Sequence, residues 1–164
     1  MRLVSNPVGP GQENVWSYPR PAVAQQRNCH IVIKHAGQTI AETRSAVRTI
    51  ETSHPPSYYI PPADIAPGLL RRAGGSSFCE WKGAAIYWDV LVGDIVLPRV
   101  GWTYPSPTAA FAMLRHHVAF YAGPFDRCLV DGELVTPQAG AFYGGWITSQ
   151  VVGPFKGAPG TGSW

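Results

Sequence analysis

Charge is what this chain has least of. Asp, Glu, Lys and Arg supply 14% of its 164 residues, against about 25% in an average domain. The formal net charge is +3 and the basic residues are scattered. Only Arg71-Arg72 makes a dense basic spot, so the electrostatic footprint of a nucleic-acid binder is missing. Cysteine is sparse as well: Cys29, Cys79 and Cys128 are an odd number of thiols with wide gaps. That pattern excludes a secreted disulfide framework. It equally lacks the paired C-x-x-C or Cys/His groups of a structural zinc site, and adjacent His116-His117 would point to different faces of a helix. No apolar run reaches the roughly 18 residues of a membrane span, and MRLVSNPVGPGQ does not read as a signal peptide. The expectation is a cytoplasmic protein with reduced, mostly buried thiols, off the membrane, without metal or cofactor.

Long helices are the next absence. Gly 18 and Pro 16 make about a fifth of the chain, which starves helices and favours strands and turns. Trp, Tyr and Phe are interleaved with them throughout, so the excess is not a linker. At 164 residues the chain is one ordinary domain, able to bury a core without disulfides. The fold class expected is all-β, antiparallel, with one or two short helices.

Along the chain, residues 1–28 read as an N-terminal arm packed on a single β-rich domain over 29–164. Its rings, Trp16 and Tyr18, precede Pro19-Arg20-Pro21, where two prolines pre-set the backbone of Arg20. Cys29–His35, Gln38–Thr43 and Ser45–Thr52 alternate as strands, with Ala36-Gly37 as a turn. Tyr58-Tyr59-Ile60 is held extended by flanking prolines. Ala63-Asp64-Ile65 and Gly68–Arg72 allow only short helix, and Gly74–Ser77 reads as a loop. Ala109–His116 is the segment with good helix formers, with Thr108 as its cap. Val118–Tyr121 is a short buried strand. Asp131-Gly132, between Arg127–Val130 and Glu133–Val135, is the strongest short hairpin signal.

One stretch, Ser77–Tyr104, organises the rest. It gathers Trp81, Trp88, Trp102, Tyr87 and Tyr104 around small Gly83-Ala84-Ala85, and Gly93-Asp94 reads as the turn of a long hairpin. Rings beside residues with almost no side chain leave space that something bulky must fill. On a regular strand Lys82 shares a face with Ala84, Ile86 and Trp88, while Trp81, Tyr87 and Cys79 share the other; a bulge at Gly83 would re-aim them. A lysine between tryptophan and glycine either snorkels to solvent or closes an aromatic pocket, where it holds an anion or acts with a lowered pKa. Glu51, ending the third strand, can balance it. Cys79 is a lone strand thiol with no histidine partner in sequence, and such a residue is usually core. Gly74-Gly75-Ser76-Ser77 lacks the lysine and following helix of a phosphate loop, and so does Gly157–Gly162.

Several motifs resemble a known family: Val15–Pro21, Ile50-Glu51-Thr52, Tyr58–Pro62, Cys79–Gly83, Gly101–Pro105, Val118–Tyr121, Phe142–Trp146 and Gly153–Gly157. Together they are similar to the family catalogued as domain of unknown function 427, from about Glu13 to Trp164. The resemblance implies the β-tent (Mss4-like) fold, two antiparallel sheets pinned along one edge, shared with methionine sulfoxide reductase B and the cereblon ligand-binding domain. Many such relatives carry zinc on two C-x-x-C pairs, which this chain lacks. Cereblon-type domains bind ligands in a tryptophan cage, and Trp81, Trp88 and Trp102 make such a cage conceivable here, by analogy between folds alone. The family is also labelled nucleotidyltransferase-like, yet Asp64, Asp89, Asp94, Asp126 and Asp131 never form the D-x-D pair that holds magnesium for that chemistry.

Three functions compete. The first is a small-molecule pocket for a planar polar ligand, as binder or enzyme, with Lys82, Glu51 and Tyr87 as chemical groups and Arg20, Tyr59, Trp81, Trp88, Trp102 and Tyr104 as ligand contacts. The second is a non-catalytic module reading a peptide or modified base by stacking. The third is a scaffold whose rings are only core. The family label adds a nucleotidyltransferase. The oligomeric state stays open, a dimer included. A pocket requires the charged Lys82 and Arg20 to converge on the rings; core packing alone sends them to solvent.

Overall fold

Short alternating segments separated by turn residues become paired strands. The computed structural model describes residues 6–140 and 142–164. Its strands in chain order are β1 (Glu13–Asn14), β2 (Val23–Gln26), β3 (Ile31–His35), β4 (Gln38–Thr43), β5 (Val47–Ile50), β6 (Ser57–Ile60), β7 (Leu70–Cys79) and β8 (Gly83–Val92). They continue as β9 (Ile95–Thr103), β10 (Val118–Phe120), β11 (Arg127–Val130), β12 (Glu133–Leu134), β13 (Thr136–Pro137), β14 (Trp146–Ile147) and β15 (Val151–Val152). Three short 3-10 turns, Val15–Ser17, Pro62–Asp64 and Ala109–Leu114, interrupt them. The protein is all-β. No helix among the described residues is long and apolar enough to cross a membrane.

Seven strands form one antiparallel sheet in the order β2-β5-β6-β10-β9-β8-β7, and four form a second, β12-β11-β3-β4. The main core lies between them, with Ile31, Ile33 and Ile40 of the smaller sheet against Tyr58, Ile60, Val90 and Phe120 of the larger. Burying these side chains supplies the chief driving force for closing the two sheets. Two hairpin turns have both central residues at positive φ, Ala36-Gly37 at 50° and 76° and Asp131-Gly132 at 50° and 81°, the twist that suits right-handed strands. The long hairpin turns at Gly93-Asp94, with Val92 paired to Ile95.

Four local expectations change. Gly74–Ser77 is no loop but lies inside β7, where the register shifts between Arg72 and Ser76 and Gly75 sits at φ 84°. Glycines that look like loop in sequence here permit a bulge within a paired strand. The helix expected over Gly68–Arg72 gives way to the start of that strand. Ala109–His116 forms only a 3-10 turn, with Phe111 off helical geometry. Burial of Phe111 and Leu114 overrides helix propensity there. Thr108 gives its hydroxyl to the Trp81 carbonyl instead of capping that turn.

The N-terminal residues are tied in by an ion pair that the alternation pattern does not reveal. Arg48, 3% exposed on β5, forks onto Glu13 at 2.7 and 3.0 Å and donates Nε to Gln25 at 3.0 Å. The guanidinium and the Tyr18 hydroxyl hold the Glu13 carboxyl below the usual range, against its partial burial. Trp16 donates its indole N–H to the Pro154 carbonyl at 2.8 Å, joining this segment to the C-terminal one.

Candidate functional site

The outer face of the seven-stranded sheet carries a row of residues set by register. Val47 pairs with Tyr59, Tyr59 with Ala119, Ala119 with Trp102 and Trp102 with Tyr87. Cross-strand partners share a face, so the row runs over five adjacent strands. Small Ala119 leaves room for the Trp102 indole to donate to the Tyr59 hydroxyl at 3.3 Å, the two rings edge to face at 6.2 Å. Plain counting from the Gly93-Asp94 turn would put Val100 opposite Tyr87. A register shift between Trp88 and Val90 puts Trp102 there instead. Asp89 holds this bulge by accepting the Arg99 N–H at 2.8 Å, with Arg99 at φ 49°, and by accepting from Arg71 at 2.9 Å. These donors keep the Asp89 carboxyl below its ordinary range. Arg99 then lays its guanidinium 4.2 Å from the centre of the Tyr87 ring.

Above this row lies a cleft of about 360 Å³. Seven of the nine residues singled out from sequence line it: Glu51, Tyr59, Trp81, Lys82, Tyr87, Trp102 and Tyr104. Lys82 arrives by a route that regular alternation misses. Glu80-Trp81-Lys82 forms the turn between β7 and β8, and Gly83 at φ 109° redirects the chain. The turn is pinned from behind, because Thr108 N–H donates to the Lys82 carbonyl at 3.1 Å. A Cβ at Gly83 would stand 3.2 Å from the Ser106 carbonyl oxygen. Lys82 Nζ then lies 5.8 Å from the centre of the Phe111 ring.

Two of the nine stand apart. Trp88 faces the inter-sheet core and donates its indole N–H to Thr103 at 2.9 Å. Arg20 is exposed and reaches the Thr52 carbonyl at 3.4 Å, outside the cleft wall. Its charge still acts on the cleft, since Lys156, Lys82 and Arg20 together oppose protonation of His54.

Another wall of the cleft comes from His54, in the connection between β5 and β6, and from the C-terminal segment, and sequence reasoning did not place these residues in the site. His54, Gln138, Tyr143 and Lys156 line the cleft beside the strand-borne rings. Gly144 lies flat on the Trp102 indole, where a Cβ would fall 2.2 Å from the ring edge. At Gly145 a Cβ would meet the Pro55 carbonyl oxygen and Gln138 Oε1, both at 2.6 Å. The Gly-Gly of the Phe142–Trp146 motif was the available signal: only glycine lets this backbone close on the sheet.

Electrostatically the cleft pairs phenols that stay neutral with fixed cations. Burial pushes Tyr59 up to about 12 and raises Tyr104 and Tyr121. These hydroxyls are hydrogen-bond partners, not bases, at neutral pH. Burial and the nearby cations bring His54 down to about 4, so it is uncharged there. Its contact with Glu51, 3.9 Å between Nε2 and Oε2, is therefore not a salt bridge at neutral pH. Glu51 is the one carboxylate lining the cleft among the described residues. The aspartates lie elsewhere: Asp64 accepts from Thr43, Asp126 from the Ala36 N–H and Asp131 from the His30 N–H. Among the described residues no three His, Cys, Asp or Glu cluster as metal ligands.

Fold and cleft define a class, a two-sheet antiparallel β protein with an aromatic, cation-bearing cleft on the outer face of its larger sheet. The chain belongs to the family described as domain of unknown function DUF427, whose profile matches residues 23–131. The strand-borne walls lie within that match, while Gln138, Tyr143 and Lys156 lie beyond it. A search of curated proteins finds no match.

Proposed function

We propose that the cleft binds a small planar ligand with an anionic or carbonyl edge, its face against the half-buried Trp81 and Tyr87 rings and its edge toward Lys82 and Lys156. One observation carries this reading: two lysines, a neutral histidine and a set of neutral phenols meet over one ring-walled cavity of about 360 Å³. Ligand sites are concave, mostly apolar and furnished with a few convergent polar groups. A packed scaffold would instead fill the space and send its lysines to solvent. The aspartates expected of a nucleotidyltransferase are spent on turns and bulges outside the cleft, which disfavours that alternative. Glu51, Lys82 and Tyr87 are the groups placed to do chemistry if the ligand is turned over.

The test is a thermal-shift panel of planar carboxylates, planar amides and nucleobases, with mass spectrometry of small molecules that co-purify with the native protein. The reading expects stabilisation by planar compounds bearing an anionic or carbonyl edge. A panel in which only extended peptides stabilise the protein would favour the recognition module, and one with no response would remove the cleft's role.

A further inference from the structure

We infer that Gln138 is a positioning residue: it fixes the tautomer of His54 so that Nδ1 is an acceptor and the Nε2–H is presented to the cleft as a free donor. The inference rests on the cleft reading above for its purpose, but not for its geometry. Gln138 is 5% exposed, and both ends of its amide are committed to backbone groups. The Gly145 N–H meets Oε1 at 3.0 Å, and Nε2 donates to the Lys156 carbonyl at 2.7 Å. Flipping the amide would set donor against donor at Gly145 and acceptor against acceptor at Lys156, leaving two buried groups unsatisfied. The orientation is therefore fixed by the main chain. The same Nε2 lies 3.2 Å from His54 Nδ1. An amide NH₂ can only donate, so Nδ1 must carry the lone pair and Nε2 the proton.

The arrangement also resists charging. An imidazolium would turn a second donor, Nδ1–H, toward the Gln138 NH₂, with Lys82, Lys156 and Arg20 adding like charge. Glu51 is the carboxylate that faces His54, and its Oε2 is 3.9 Å from Nε2, beyond hydrogen-bond distance. Tyr143 packs edge-on against the imidazole with ring centres 5.3 Å apart. His54 Nε2–H thus has no acceptor at hydrogen-bond distance among the described residues, while the ring lines the cleft. A neutral imidazole held this way is a fixed donor that costs no reorganisation when an acceptor arrives. This narrows the ligand class: the edge facing His54 should carry a carbonyl or carboxylate oxygen. Gly145 completes the device, since any Cβ there would collide with Gln138 Oε1.

The experiment is nitrogen-15 NMR of the imidazoles in the full chain, without ligand, in the native protein and in Gln138→Glu. In the native protein at pH 7 the His54 signals should be those of a neutral ring protonated at Nε2. In Gln138→Glu the new carboxylate accepts from Nδ1, so the spectrum should change to an Nδ1–H ring or an imidazolium. A native spectrum showing Nδ1–H or a charged ring overturns the inference, whether or not the variant folds. An Nε2–H ring that persists unchanged in folded Gln138→Glu also overturns it. Because no ligand is added, these outcomes are separate from failure of the thermal-shift panel.

Discussion

His54 is the cleft histidine whose titration folding moves well into the acid range. Burial and three cations lower its pKa from 6.5 to about 4. Between those values the unfolded chain binds more protons than the folded one, so stability rises with pH there. The contribution is complete above about pH 6.5 and is lost as the pH falls toward 4. For a side chain 18% exposed, with some discount for solvent screening, it amounts to about 2 to 3 kcal/mol. Denaturant melts from pH 7 to pH 4 should therefore show a steeper loss in the native protein than in His54→Gln; equal slopes would contradict the assignment. Trp102 behaves differently from the cleft's polar residues, because it is 8% exposed, bonded to Tyr59 and covered by Gly144. Trp102→Ala should cost about 3–5 kcal/mol, measured by urea melt, so that variant reports on the core before it reports on binding. Sequence reasoning grouped Trp102 with the polar Lys82 and Glu51 and did not single out His54; it could not tell the buried ring from the accessible groups, since burial depends on what the distant Gly144 does.

Hairpins and bulges are the elements that aim the site. Gly132 sits at φ 81° with nothing within 4 Å of an added Cβ. Gly132→Ala should then cost about 1 kcal/mol from backbone strain alone, and a denaturant melt that shows no cost would remove the turn assignment. The Asp89 bulge is the more consequential element. Asp89→Ala frees the Arg99 N–H, so hydrogen exchange at that amide should accelerate while the Asp131-Gly132 hairpin stays protected. Unchanged exchange at Arg99 would show that Asp89 does not hold the bulge. Hairpins were legible because two adjacent turn residues announce them locally. The bulges were not: Gly74-Gly75 looks like loop, and Pro98-Arg99 gives no sign that the strand slips by two. That slip is an even number of residues and keeps each side chain on its own face, so Tyr87 and Trp102 meet as partners on one surface although plain counting from the turn does not pair them.

At the scale of the whole molecule, two sheets enclose the main core, and the larger carries the cleft on its outer face. The wide cysteine spacing motivates a fold that needs no metal. Elemental analysis should find no stoichiometric zinc, and chelator should leave the melting temperature unchanged; a bound zinc or a chelator-induced fall would refute this. The strand-borne part of the site could be read from Tyr58–Pro62, Cys79–Gly83 and Gly101–Pro105 because aromatic residues and a charge concentrate there. The C-terminal wall could not, since Gln138 and Lys156 reach His54 across more than eighty residues of chain and no local pattern encodes that return.

The central expectation is that Lys82 serves the cleft and not the fold. It lies on a turn that Thr108 holds by donating its N–H to the Lys82 carbonyl and its hydroxyl to the Trp81 carbonyl, so the Lys82 side chain can change without disturbing that anchor. The decisive measurement is the thermal-shift panel repeated on Lys82→Met beside the native protein. The predicted result is a melting temperature nearly equal to native without additive and loss of the shift caused by planar carboxylates. A variant that unfolds, or one that keeps the native response to the same compounds, would contradict the assignment of this cleft as the ligand site.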